Sequence, residues 1–394
     1  MKFTPEVNGA LIWFGAGISV AEIITGTYFA PLGFSRALAA IILGHVIGCA
    51  LLFAAGYIGS ATQQSAMQTT QMSFGVWGSR FFALLNVLQL VGWTGIMIYD
   101  GAASVNQIAQ SPSWLWPVVI GALIIVWLLA GITGIARLNV VSLTLLFILT
   151  LVLCWVVFFG DKVSTLAGDA GEALSFGAAV ELAVAMPLSW LPLVADYTKE
   201  SRHPFRISLV SAVVYGVASC WMYVIGLGAA LFTQQSDIAL IMASSGLGWA
   251  ALLIVVLSTV TTTFLDALSA GISFQTIRPK TSSKAVSLLV TALGVVGADL
   301  LPMDDITPFL YLIGSVFAPM IAIQVADYFI LRRTTSARRL DITRAILWLL
   351  GFILYRASLG WPLPLGNTLP VMLIVAAATV AVGKARQQRE GSTR

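Results

Sequence analysis

The side chains best equipped for chemistry in this 394-residue chain stand in apolar sequence. Asp266 lies in the run Ser258-Thr259-Val260-Thr261-Thr262-Thr263-Phe264-Leu265-Asp266-Ala267-Leu268-Ser269. Thr259, Thr262, Thr263, Asp266 and Ser269 recur at helical spacing and form one polar stripe. Hydroxyls alone usually bond back to their own helix. A carboxylate in an apolar helix is expensive unless paired, hydrated or protonated, so Asp266 is a functional candidate. Glu22 is a second acid of this kind, in a stretch that also holds Gly9, Gly15, Gly17 and Ser19. Such an acid can carry a proton through a cycle or bind a ligand or partner group. Flat aromatic faces supply the third chemistry, because a heteroaromatic ring is held by stacking and sorted by hydrogen bonds at its edge. Trp93 shares a helical face with Gln89, Met97 and Asp100, while Trp190 follows Ser189 between Pro187 and Pro192. With 12 tryptophans present, an isolated one means little, and Trp114 and Trp116 read as interfacial belt residues. His45, in an apolar run, reads as a satisfied packing residue.

The elements that must hold these residues are membrane helices. The chain is 58% hydrophobic and only 10% charged, where a soluble domain carries roughly 25% charged residues. Its net charge of +4 comes from basic residues in loops rather than on one face, which excludes a nucleic-acid binder. Cys49, Cys154 and Cys220 fall in apolar runs and read as packing residues. Metal-ligand spacing, a nucleophile elbow and a phosphate-binding glycine loop are all absent, which argues against a membrane enzyme or a resident cofactor. No repeated pore-lining element points to a channel.

A span needs about 20 mostly apolar residues, and about twelve runs qualify. They cover 9–33, 37–59, 80–108, 115–135, 139–160, 174–196, 207–232, 247–275, 283–299, 308–331, 342–359 and 368–384. The first run continues without a cleavage pattern and reads as a retained helix. Short connections leave one transmembrane domain over 1–394 and call for no obligate protein partner. With the N-terminus in the cytoplasm, only Arg36, Lys162 and Arg356 of the 21 basic residues fall outside. That asymmetry predicts a multi-pass protein of a bacterial-type inner membrane with both termini cytoplasmic.

Two spans look interrupted. The first has a glycine-rich, polar middle, and the sixth carries Pro187 and Pro192, each of which removes a backbone donor. Interruptions in matching positions of two halves point to a transporter site at the bilayer midplane. Ala195-Asp196-Tyr197 and Ala326-Asp327-Tyr328 form a second matched pair, whose acids read as anchors that bind a nearby base or cap a neighbouring helix.

Several motifs carry a family likeness: Trp93-Thr94-Gly95 with Gly101-Ala102, Trp190 with Val194-Ala195-Asp196-Tyr197-Thr198, Ser269-Ala270-Gly271, and Pro319 to Arg333. Together they resemble the nucleobase:cation symporter-1 family across nearly the whole chain. The first span, WFGAGISVAEIITGTYFAPLG, is most similar to hydroxymethylpyrimidine permeases. The resemblance implies an all-α membrane protein of the leucine-transporter type. Its inverted five-plus-five repeat would cover about 9–160 and 174–331, with two further helices over 342–384. It also implies import of a small pyrimidine, the thiamine precursor hydroxymethylpyrimidine or else cytosine, a purine or allantoin. Alternating access would be driven by sodium or a proton, with no organic cofactor.

By that resemblance Trp93 and Trp190 are the ring-stacking pair, with Ser189 and Thr262 beside them. Met97 stands where the family commonly has a glutamine, and Asp266 where relatives often have an asparagine. An acid there can accept from an exocyclic amine and a protonated ring nitrogen, which suits an aminopyrimidine. Thr261 matches a sodium-coordinating hydroxyl opposite backbone carbonyls from Gly17 to Ala21. Val260 replaces a second such hydroxyl, and Glu22 offers the proton route.

Overall fold

Every regular element is a helix among the residues described by the computed structural model, which are 4–134, 136–159, 174–233, 240, 248–336, 338–361 and 363–392. Lys2, Lys162 and Arg394, used above to orient the chain, lie outside them. Thr4 caps the first helix by accepting from the Val7 N–H, and Pro5 occupies the first turn, where its missing donor is harmless. This helix, α1 (Pro5–Gly17), is followed by α2 (Val20–Thr27) at a bend of 47°. Ile18 leaves helical geometry at the bend, and Ser19 restarts the helix by accepting from the Glu22 N–H at 3.2 Å. The first span is therefore broken where the sequence predicts it.

The remaining helices are α3 (Phe34–Thr62), the short α4 (Ala66–Thr69), α5 (Gln71–Ala109), α6 (Leu115–Gly134), α7 (Ala136–Phe159), α8 (Phe176–Thr198) and α9 (Pro204–Gly228). They continue with α10 (Gly248–Ile277), α11 (Ser283–Leu300), α12 (Thr307–Val325), α13 (Ile342–Ser358) and α14 (Thr368–Ser392). Single π turns, Ala229–Thr233 and Ala326–Ile330, extend α9 and α12. Among the described residues nine helices are long and apolar enough to cross a membrane, and the bent pair makes ten. A shorter apolar stretch, Leu115–Ala130, lies in α6, and α13 is a 17-residue helix over the eleventh of the twelve runs expected from sequence.

Burial sorts these helices into centre and rim. In α8, 94% of the most apolar window is buried, against 28% in α11 and 33% in α14. Large apolar side chains such as Val46, Trp155, Val217 and Leu300 are exposed instead, as expected of surface that meets lipid. Packing of α8 against α3 depends on small residues. A Cβ on Gly44 would collide with Ala183, and one on Gly48 with Pro187, so these glycines permit the backbones to touch.

The expected break in the sixth span is corrected by the structure, since α8 runs unbroken through Pro187 and Pro192. Each proline deprives the carbonyl four residues earlier, that of Ala183 or Leu188, of its helical donor, yet the helix continues. Side chains also tie this stretch to its neighbours: Gln89 donates to the Ser189 carbonyl, Asn86 to the Pro192 carbonyl and the Ser189 hydroxyl to the Met186 carbonyl.

The two Ala-Asp-Tyr motifs serve as anchors. Asp196 accepts from the Ala66 N–H at 2.9 Å and so holds the start of α4. Asp327 binds Arg344 of α13 at 2.6 Å and Arg333 at 3.6 Å. Glu181 of α8 fixes the last helix pair: its carboxylate accepts from Tyr355, from the N–H groups of Asn367 and Thr368, and from the Thr368 hydroxyl.

Candidate functional site

The break between α1 and α2 faces α5, α8 and α10 across a narrow cavity with a free volume of about 20 Å³. That space holds about one water molecule, so a ring enters only as the lining side chains move apart. Ala16, Ser19, Ala21 and Glu22 line it from the broken span, and Trp93 and Met97 from α5. Met186, Ser189 and Trp190 come from α8, and Thr262 and Asp266 from α10. All six residues expected to bind substrate, Trp93, Met97, Ser189, Trp190, Thr262 and Asp266, thus share one cavity with Ala21 and Glu22.

Trp93 packs edge-on against Phe309, with ring centroids 5.4 Å apart. Its indole N–H is buried without a partner, so a donor is left over beside the cavity. Trp190 meets Trp13 at 5.6 Å and Tyr215 at 6.2 Å, and Trp13 in turn meets Tyr197 and Tyr215 at about 6 Å. This aromatic box fixes the Trp190 ring, and edge-on pairs of this kind are favoured by ring quadrupoles. Gln89 donates to the Asn86 side chain at 2.8 Å as well as to Ser189, which ties α5 to α8 just beyond the cavity.

Asp266 is buried, and among the described residues no cation lies within ion-pairing distance and no hydrogen bond occupies its carboxylate. A buried acid with free acceptor capacity facing a cavity is a ligand-reading group by default. Thr262 donates to the Gly15 carbonyl at 3.2 Å, stitching α10 to the end of α1. Thr261 lies outside the cavity lining, and its hydroxyl bonds to the Leu257 and Ser258 carbonyls of its own helix. Gly17 also stands behind the lining, where a Cβ would meet Ala218 at 2.7 Å. Glu22 is buried and held by α9: Tyr215 donates to Oε1 at 2.8 Å, and Ser219 lies 2.7 Å from Oε2. Among the described residues no group of three or more His, Cys, Asp or Glu could hold a metal ion.

Sequence reasoning placed Ser19 only in the polar break of the first span and missed Trp13, Met186, Tyr215 and Ser219. The Ser19-x-x-Glu22 spacing does signal a helix start. The other four carry no local signal, since apolar or hydroxyl residues in a membrane helix look alike until the helices are packed.

A model of permeases for cytosine and purines, uracil, thiamine and allantoin matches residues 6–346. The chain belongs to that family. A hydantoin permease of Microbacterium maritypicum is 24% identical over 363 residues, covering 82% of this chain and 72% of the relative. Among solved structures, the nucleobase-cation-symport-1 transporter Mhp1, closed with bromovinylhydantoin bound, superposes with a TM-score of 0.81 at 20% identity, over 99% of this chain and 93% of that one. A sodium-coupled sialic acid symporter, substrate-bound and outward-open, gives a TM-score of 0.69 at 16% identity, over 96% and 88%. This nucleobase-cation-symport-1 permease is therefore a multi-pass transporter of the leucine-transporter type, and not an enzyme.

Proposed function

We propose that this permease imports a small aminopyrimidine, 4-amino-5-hydroxymethylpyrimidine, across a bacterial inner membrane by cation symport, with both termini in the cytoplasm. The observation that carries the reading is the pairing of two tryptophans with an unpartnered carboxylate on one narrow cavity. Trp93 and Trp190 take the two faces of the ring, while Met97 keeps one edge apolar. Asp266 accepts from the exocyclic amine, and Ser189 and Thr262 bound the remaining edge. A uracil-type ring presents a carbonyl where the amine would be and sets acceptor against acceptor. The family description favours a second reading, another nucleobase or allantoin, and leaves the ring open.

The Gly17-to-Ala21 carbonyls at the helix break and the Thr261 hydroxyl are, on this proposal, the groups that coordinate sodium. In this reading residues of about 9–160 and 174–331 form the inverted halves that rock around the cavity, and 342–384 stand beside them. Competition for uptake into proteoliposomes decides the substrate. Hydroxymethylpyrimidine and cytosine are expected to compete well, and uracil, allantoin and hypoxanthine poorly. Dominant competition by uracil or allantoin would overturn the assignment.

A further inference from the structure

Glu22 is the cavity end of a hydrogen-bonded chain that leads away from the site. Ser219 Oγ lies 2.7 Å from Glu22 Oε2 and 2.6 Å from His45 Nε2. His45 Nδ1 lies 2.9 Å from the Ile41 carbonyl oxygen, which can only accept, so Nδ1 carries a hydrogen. Tyr215 fills Oε1 as a donor. Two contacts remain, Oε2 to Oγ and Oγ to Nε2, and each needs one hydrogen between its atoms. Serine supplies one. The other must sit on Glu22 or on His45 Nε2, because an ionised carboxylate beside a neutral imidazole would leave one contact as acceptor against acceptor.

We propose that Glu22, Ser219 and His45 form a proton-holding relay that stores one proton in the wall of the transport cavity and can move it out of that wall. In one state Glu22 is a neutral acid and His45 a neutral imidazole. In the other, the Glu22 Oε2–H bond breaks as a Ser219 Oγ–H bond forms, and the original Ser219 Oγ–H bond breaks as a His45 Nε2–H bond forms. The result is a carboxylate facing the cavity and an imidazolium beside α9. The relay stays neutral overall, yet the cavity wall changes from uncharged to anionic at the helix break.

The surroundings favour such confinement. No Lys or Arg pairs with any of the three among the described residues. The other titratable groups facing the relay are Tyr215, Tyr223 and Cys220 from α9, Cys49 from α3, Tyr28 just after α2 and, across the cavity, Asp266 from α10. Neither phenols nor thiols readily take up or lose a proton when buried in an apolar setting. The His45 ring is held edge-on by Tyr223 at 4.9 Å and borders an apolar groove between α3 and α9. The side chains lining that groove besides His45 are apolar or thiols, so none is positioned to take the proton readily.

The relay deepens the cation-coupled reading above, but its test needs no substrate. The chain has only 2 histidines, so protein labelled with ¹⁵N-histidine gives signals that His45→Gln assigns directly. Infrared difference spectra of wild type against Glu22→Gln report the Glu22 carboxyl in the same liposomes, at a pH of about 7.5 where exposed carboxylates are ionised and exposed imidazoles mostly neutral. The expected result is one proton on the pair: a protonated Glu22 carboxyl with a neutral His45 bearing hydrogen on Nδ1, or an ionised Glu22 with an imidazolium. Glu22→Gln, whose amide can donate to Ser219 in place of the acid, should lock His45 neutral. Ser219→Ala removes only the bridge and should make the His45 signal insensitive to Glu22→Gln. An ionised Glu22 beside a neutral His45 overturns the relay, as does protonation of both. Failure of hydroxymethylpyrimidine to bind would defeat the substrate assignment and leave these spectra unchanged.

Discussion

Replacing Glu181 with alanine should destabilise the permease while leaving its cavity intact, because this acid touches the last helix pair and not the ligand site. Its two oxygens accept from the N–H groups of Asn367 at 2.6 Å and Thr368 at 2.8 Å, from the Thr368 hydroxyl at 2.6 Å, and from the Tyr355 hydroxyl. The turn before α14 is shaped around it. Gly366 has φ of 73°, and a Cβ there would lie 2.5 Å from Glu181 Oε2. The two hydroxyls can rotate to other partners, but the two backbone donors at the start of α14 cannot. Leaving each buried N–H unsatisfied costs about 1–3 kcal/mol. Polar interactions inside membranes fall at the low end of such ranges, so the expected loss is about 2–4 kcal/mol. For a chain of this size, with an unfolding entropy of about 0.8 kcal/mol/K, that lowers the unfolding midpoint by roughly 2–5 °C. Glu181→Gln, which keeps one acceptor oxygen, should lose about half as much. The assay is thermal unfolding of purified protein in one fixed detergent, with substrate affinity measured at low temperature as the control. A midpoint for Glu181→Ala within about 1 °C of wild type would refute the claim that this carboxylate anchors α13 and α14.

Three further outcomes follow from the cavity and its packing. Trp93→Ala and Trp190→Ala should each weaken substrate binding by roughly 1–3 kcal/mol without loss of membrane expression, and unchanged affinity in both folded variants would remove them from the site. Thr261→Val should reduce sodium-dependent uptake more than equilibrium binding at saturating sodium; uptake indifferent to sodium in the wild type would defeat this. Gly48→Val should prevent close approach of α3 and α8 and lower the yield of folded protein several-fold in detergent extraction, whereas normal yield would show that the Pro187 contact is easily relieved.

Much of this arrangement is legible in the sequence because the bilayer restricts what a chain can do. A spanning segment must satisfy its own backbone, so the apolar runs from Phe34 onward announce their helices by length alone. The first break is also readable, since Gly15, Gly17 and Ser19 combine weak helix formers with a capping side chain ahead of Glu22. The sixth is misread for a physical reason: proline reveals where a helix loses a donor, but not whether the packing around it, here with Gln89 and Asn86 of α5 tied to the same stretch, keeps the helix continuous. Trp93 and Asp266 are 173 residues apart, and only the packing of α5 against α10 and α8 brings them to one cavity. His45 shows the same limit from the other side. Its role as a satisfied residue is foreseeable, yet its connection to Glu22 through Ser219, 174 residues away, is not.

The proposed function makes Asp266 the reader of the substrate, so equilibrium binding of hydroxymethylpyrimidine and uracil to purified wild type and Asp266→Asn, at saturating sodium, tests it most directly. Loss of one charge-assisted hydrogen bond should cost about 1.5–3 kcal/mol, or roughly ten- to a hundredfold in affinity for the amino-bearing ring. Uracil binding should hardly change or should improve, because the asparagine amide can donate to its carbonyl. Equal losses for both rings, or no loss for either, would contradict the claim that Asp266 reads the substrate.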